Sequence, residues 1–205
     1  MATNDQFISL ASSSSSEREL RSSWAETARL NNSQLGMWIF LATVTMLFAG
    51  FTSAIFVRRE ALDWQPIPVP SLLWLNTALL LASSAGIERV RALFQQQKKG
   101  AARGWLLGST LLGILFLVGQ IAAWRELSAK GLYLSSNPHS AFFFILTGAH
   151  AAHLLGALIA LGYLNVRLWL DHSTLGPRTA IKLCSTCWHF FDALWIYLFA
   201  MLFIL

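Results

Sequence analysis

Residues 140–164 read SAFFFILTGAHAAHLLGALIALGYL, a run with no Asp, Glu, Lys or Arg anywhere in it. A bilayer core of about 30 Å needs roughly 20 mostly apolar residues in a helix, so this run is long enough to cross one. Hydrocarbon offers no partner to backbone N–H and C=O groups, which must therefore bond within the segment and make it a helix. Four further stretches share its character: 35–57, 69–87, 104–124 and 184–205, each without Lys or Arg in its interior. The chain has 205 residues, 55% hydrophobic and 12% charged. That is too apolar for one soluble domain. The expected fold is all-α, a polytopic membrane bundle of five transmembrane helices over 35–205, behind an N-terminal tail at 1–34.

The tail carries the run Ser12–Ser16 and the charged Glu17-Arg18-Glu19, with no apolar segment long enough for a signal peptide. Leu20, Trp24 and Thr27 fall at helical spacing, so a short interfacial helix is an alternative to a disordered tail. Pro66, Pro68 and Pro70 stiffen the approach to the second stretch, which is the shortest of the five.

Charge orients the bundle. Arg18, Arg21 and Arg29 lie in the tail; Arg89, Arg91, Lys98, Lys99 and Arg103 follow the second stretch; Arg167, Arg178 and Lys182 follow the fourth. These eleven cations oppose four in the other loops, Arg58, Arg59, Arg125 and Lys130. The N-terminus is expected inside and the C-terminus outside. The net charge of +5 follows from the same bias and from anionic headgroups, with no need of nucleic acid.

Polar side chains within the stretches are few, and lipid excludes them unless they have work to do. They are Asn76, Thr77, Ser83 and Ser84, with Glu88 at the inner end of the second stretch; Gln120 in the third; Thr147, His150 and His153 in the fourth; His189 and Asp192 in the fifth. Gly148, Ala152 and Gly156 recur every four residues and offer a face for close helix approach. At 100° per residue His150 and His153 point away from that face, toward another neighbour or a cavity. Cys184 and Cys187, three apart on one helix, are poorly placed for a disulfide and read as small buried residues.

Three readings suit these groups. Histidines could hold a metal or haem, but two of the three lie on one helix and no thiolate or carboxylate cluster joins them. His and Asp could line a proton or solute path, though no broken-helix pair or inverted repeat is visible. Or the polar groups bond between helices, at about 0.6 to 2 kcal/mol each. The last reading needs the least.

Cys187-Trp188-His189-Phe190-Phe191-Asp192-Ala193-Leu194-Trp195 is similar to the Trp-His-Phe-Val-Asp-Val-Val-Trp pattern of subunit III of the haem-copper respiratory oxidases. Thr147-Gly148-Ala149-His150-Ala151-Ala152-His153 with Gly156 resembles that family's Thr-Gly-x-His-x-x-His-x-x-Gly. Gly36-Met37-Trp38-Ile39-Phe40-Leu41, Leu75-Asn76-Thr77, Ala82-Ser83-Ser84 and Gln120 fit its other helices, in order, in the short five-helix form. Two departures stand out: Val44 and Ala123 occupy places where the family usually has carboxylates.

The resemblance implies a non-catalytic accessory subunit, beside oxidase subunits I and II, in a bacterial inner (plasma) membrane complex that reduces dioxygen to water and pumps protons. Haems and copper would sit in the partner subunits, and no catalytic, cofactor or metal residue is expected in this chain. Its five histidines fall one short of the six ligands that two haems and a copper require in the catalytic subunit; His139 and His172 also lie outside the stretches that carry the other three. The residues expected to contact subunits or phospholipid are Trp38, Asn76, Glu88, Gln120, His150, His153, Trp188, His189, Asp192 and Trp195. The last four are expected to anchor the fifth helix near the inner interface. A related protein that accompanies nitric oxide reductases, an independent proton or solute transporter, and a haem-bearing anchor are the alternatives.

Overall fold

A computed structural model describes residues 32–60, 64, 70–170 and 177–204. Every regular element among them is helical: α1 Asn32–Arg58, α2 Leu72–Gln95, α3 Lys99–Ala129, α4 Pro138–Leu170 and α5 Pro177–Ile204. The interfacial helix expected around Leu20–Thr27, the prolines Pro66 and Pro68, and His172 lie outside the described residues. The chain divides into two compact units, Met1–Phe40 and Leu41–Leu205. Of the first, the described residues are the opening turns of α1, where Leu35, Trp38 and Ile39 are exposed. The second holds the rest of α1 and the other four helices.

Four helices, α1, α3, α4 and α5, are long and apolar enough to cross a membrane; α2 is not among them. The reason is composition. Asn76, Thr77, Ser83, Ser84, Glu88, Arg89 and Arg91 all fall within α2. The expected stretches are also too short at their ends. α2 continues through Glu88, Arg89 and Arg91, which the sequence alone assigned beyond the span, and α3 begins before Arg103. An apolar stretch measures only the part of a helix that fits hydrocarbon, whereas charged side chains extend the same helix into headgroups. At 31 residues, α3 is about 46 Å long, well beyond the hydrocarbon core.

The helix ends explain the tight connections. Only residues 96–98 join α2 to α3. Lys98 N–H donates to Leu93 C=O at 3.0 Å and Gln97 N–H to Phe94 C=O at 3.3 Å, the paired bonds of a Schellman ending, with Gln97 left-handed at φ 61°. The end of α3 repeats the motif with Gly131, φ 77°, where Leu132 N–H reaches Leu127 C=O at 3.1 Å. Here the left-handed position carries the residue that suits it. α4 starts with Asn137 as its cap: its Oδ1 accepts from Ser140 N–H at 2.8 Å, and Asn137 N–H donates to Ser140 Oγ at 3.2 Å. Pro138 then takes the first helical position, which needs no N–H.

Contacts close a ring of four helices, α2 on α3, α3 on α4, α4 on α5 and α5 back on α2, with the α2–α3 pair the most extensive. The latter part of α1 lies against α4 through Phe48 and His153 (centroids 6.0 Å apart) and against α5 through Thr52 and Tyr197 (hydroxyls 2.8 Å apart). The centre is filled by Phe48, Phe116, Leu146, Phe191, Trp195 and Leu198. Exposed apolar side chains such as Leu111, Leu155, Ile159 and Phe203 cover the outside, as a lipid solvent requires.

Close approach falls on other glycines than those singled out from sequence. Ala152 and Gly156 are exposed, a Cβ on Gly156 would meet nothing within 4 Å, and one on Gly148 only Trp124 at 4.0 Å. Among the described residues, that face meets only Trp124, and only at Gly148. Gly113 and Gly119 of α3 do the work instead. A Cβ at Gly113 would lie 2.6 Å from Trp188 Cη2 and 2.8 Å from Leu158 Cδ2, and one at Gly119 would overlap the Asn76 amide. His139, placed outside the apolar stretches by sequence, is buried at the start of α4 and stacked on Trp64 with centroids 4.8 Å apart.

Candidate functional site

α5 carries the most distinctive residues, and its helical repeat divides them between two environments. Trp188 and Trp195, seven residues apart and so on one face, are fully buried. They are not exposed interfacial anchors. Trp188 fills the space left by Gly113, and Trp195 meets Phe116 edge-on with centroids 4.9 Å apart. The Trp195 indole N–H donates to Thr77 Oγ1 at 3.0 Å, tying α5 to α2. Trp124 makes the matching bond from α3 to α4, donating to Thr147 Oγ1 at 3.0 Å. Asn165 Nδ2 donates to Thr110 Oγ1 at 2.9 Å, and Ser83 Oγ to Ser109 C=O at 2.9 Å. These four bonds tie helix to helix.

His150 enters the same aromatic layer. It is fully buried, 5.1 Å from Trp195, 6.0 Å from Phe116 and 6.4 Å from Phe191 between centroids, and neither ring nitrogen has a hydrogen-bond partner among the described residues. His153, one turn on, donates from Nδ1 to Ala149 C=O at 2.7 Å and lies against Phe48 and Phe191. Asn76 and Gln120 are also buried, and their amides too lack partners among the described residues. Asn76 serves as a spacer over Gly119.

The other face of α5 builds a polar cluster with α2. His189 Nε2 donates to Glu88 Oε1 at 2.7 Å, and its Nδ1 lies 2.6 Å from Ser84 Oγ. Because a carboxylate only accepts, the proton shared with Glu88 belongs to Nε2. The same Glu88 oxygen accepts from Arg91 at 2.8 Å and from Ser185 at 3.3 Å. Asp192, buried one turn along α5, places Oδ2 3.9 Å from His189 Nδ1, outside hydrogen-bond reach. Glu88 is half exposed at the end of its apolar stretch. Burial there acts to raise its pKa, but hydrogen bonds and charge from Arg91 and His189 outweigh it and hold the carboxyl below its ordinary value.

Of the ten residues singled out from sequence, the structure gathers His150 and Trp195 in the aromatic layer, with His153 against its Phe191, and Glu88 and His189 in the cluster, with Asp192 beside them. Trp188 and Gln120 are core residues, Asn76 a spacer, and Trp38 lies exposed in the other unit. Ser84, Arg91, Ser185, Phe116 and Thr147 take part without having been selected. Ser185 precedes His189 by one turn and Arg91 follows Glu88 by one, so a helical reading of each pair could have found them. Cys184 and Cys187 are free and half-buried. Among the described residues no three His, Cys, Asp or Glu side chains converge in a metal-holding group. The arrangement can fasten helices and hold a shared proton between Glu88 and His189.

Known proteins match this chain along most of its length. The family model described as Cytochrome c oxidase subunit III matches residues 16–205. The probable cytochrome c oxidase subunit 3 of Nocardia farcinica is 33% identical over 177 residues, 84% of this chain and 87% of its own. That of Mycobacterium tuberculosis is 30% identical over 180 residues, 85% of this chain and 89% of its own. The cytochrome bo(3) ubiquinol oxidase subunit 3 of Pseudomonas aeruginosa is 30% identical over 179 residues, 85% of each chain. The motifs that these helices spend on Trp–Thr bonds and an aromatic core are those by which the sequence resembled such proteins, and the chain belongs to the cytochrome c oxidase subunit III family.

Proposed function

We propose that this chain is a non-catalytic accessory subunit of a haem-copper terminal oxidase, packed beside subunits I and II in a bacterial plasma membrane. The complex reduces dioxygen to water and pumps protons, with haems and copper in the partners. The chain crosses the membrane five times, N-terminus inside and C-terminus outside, and its role is to stabilise the catalytic subunit and hold phospholipid. α2 completes the five crossings because its polar residues Asn76 and Ser83 are buried against α3 and do not face lipid.

The observation that carries the accessory role is the internal use of the motif side chains. His150, Trp188 and Trp195 are enclosed by the chain's own residues, and His189 is held by Ser84 and Glu88. They shape a scaffold whose exposed apolar faces are left for other subunits and lipid.

The test is a mild-detergent pull-down of the tagged full chain with identification of the co-purifying subunits and a reduced-minus-oxidised spectrum. Recovery of a haem-copper catalytic subunit is expected. Recovery of a nitric oxide reductase, or of a lone colourless chain, would overturn the proposal.

A further inference from the structure

Asn76, Gln120 and His150 stand on three different helices, yet helical register brings them to one level of the bundle. On α3, Phe116, Gln120 and Trp124 are spaced by one turn and share a face. Phe116 lies against His150, with centroids 6.0 Å apart, while Trp124 bonds Thr147, the residue one turn before His150. Gln120, midway between them on α3, therefore faces His150 on α4. On α2, Asn76 rests on Gly119, the residue beside Gln120. Its other neighbour in sequence, Thr77, bonds Trp195, whose ring is 5.1 Å from that of His150.

All three side chains are enclosed, at 0%, 1% and 0% exposure. None of their six nitrogen and oxygen atoms has a hydrogen-bond partner among the described residues. The hydroxyls nearby are already committed. Thr77 Oγ1 donates to Leu73 C=O at 2.8 Å and accepts from Trp195; Thr147 Oγ1 donates to Phe143 C=O at 2.7 Å and accepts from Trp124. A polar atom buried without a partner costs more than immobilising a water molecule that satisfies it. The end of the bundle is also near, because Asn76 is only four residues, about 6 Å, from the start of α2 at Leu72.

We infer that Asn76, Gln120 and His150 together hold an internal water molecule, hydrogen-bonded across α2, α3 and α4. The chemistry of the three side chains selects the occupant. Each amide offers donors and an acceptor, and an imidazole can offer one of each, so the ligand must both donate and accept. A cation would find no carboxylate or thiolate among the three to balance its charge, and an anion no Lys or Arg. A buried water typically makes about three hydrogen bonds, one here for each helix. It joins the three helices at the level flanked by the Trp124–Thr147 and Trp195–Thr77 bonds.

The test uses the full chain, purified in mild detergent with the subunits that accompany it. A density map that resolves ordered water should show one within about 2.7–3.2 Å of polar atoms from at least two of the three residues. Gln120→Met keeps the length of the side chain and removes its amide. It should lower Tm by roughly 2–12 °C, because His150 and Asn76 lose their bridge. His150→Leu should lower Tm as well, and the double variant should lose less than the two losses together, since either change already breaks the shared site. An amide that had no partner would act the other way, and its removal would raise Tm.

A rise in Tm for Gln120→Met, or losses that simply add in the double variant, would overturn the inference. So would a map with no water bonded to two of the three residues, whether their side chains bond one another directly or stay apart. The map and Gln120→Met each test the site alone should His150→Leu fail to assemble.

Discussion

Alanine substituted for glycine at two sites of the same helix should act in opposite directions, and the difference measures how tightly α3 meets α5. At Gly104 an added Cβ meets nothing within 4 Å, so Gly104→Ala gains helix propensity worth up to about 1 kcal/mol. At Gly113 the same atom would lie 2.6 Å from Trp188 Cη2, 2.8 Å from Leu158 Cδ2 and 3.1 Å from Trp188 Cζ2. Favourable carbon contacts lie at about 3.5–4.0 Å, so neighbours must retreat by roughly 1 Å. Leu158 can turn, but the bulky Trp188 indole is fully buried, and a close-packed interior resists its displacement. Overpacking of this kind costs about 1–3 kcal/mol. Propensity is common to both variants and cancels, leaving Gly113→Ala less stable than Gly104→Ala by about that amount. Thermal unfolding in detergent, followed by fluorescence, should separate their Tm values by roughly 2–12 °C at this chain length. Adding Trp188→Phe to Gly113→Ala should recover part of the loss by removing the obstructing ring edge. If the two alanine variants melt within a degree of each other, the α3–α5 contact is not the rigid seat described.

Gln97→Gly should raise Tm by a few degrees, because a left-handed non-glycine residue costs about 1–2 kcal/mol and Gly131 shows the unstrained form of the same ending. The acid limb of stability should contain Glu88. Its folded pKa lies below the ordinary 4.5, so its contribution is present above that value and lost as pH falls through the depressed one. Glu88→Gln should therefore flatten the fall in Tm between pH 5 and strongly acidic pH, and an unchanged acid limb would exclude the cluster as its source. Val44→Glu puts a carboxylate where the family usually has one, but here into a site only 2% exposed. An unpaired charge at mid-helix costs about 2.5–3.5 kcal/mol, so membrane yield and Tm should both drop; wild-type recovery would mean that a partner for the acid exists.

Period and apolarity made the helices legible because hydrocarbon leaves one backbone solution for a segment such as 140–164. They missed the helix ends for the reason seen at Glu88–Gln95: charge ends an apolar count without ending a helix. Burial was harder to read. Gly148, Ala152 and Gly156 have the spacing of a packing face, yet spacing does not name the neighbour, and among the described residues only Trp124 comes as near as 4.0 Å to a Cβ on either glycine. Gly113 and Gly119 lack that four-residue pattern and were passed over, although Trp188 and Asn76 rest on them. The Glu88–His189 contact joins residues 101 apart, and a single sequence without comparison has no means of pairing them. What was legible in the site was its residue types, since every polar side chain in a span had to be satisfied or hidden. Which did which depended on the helix across from it.

The short turn at 96–98 also bears on how the protein is made. A helix with as many polar residues as α2 would partition poorly into lipid if the insertion machinery released it alone. On the proposed five-crossing topology, three residues of turn deny it that separate existence, so α2 and α3 are expected to enter as a hairpin. The strongly apolar α3 supplies the driving force while Gly119 receives Asn76 and Ser109 C=O receives the Ser83 hydroxyl. Lengthening that turn with a flexible insert should leave the finished packing intact yet increase the fraction of chains whose second helix fails to insert. The connection is thus a constraint on biogenesis as much as on architecture.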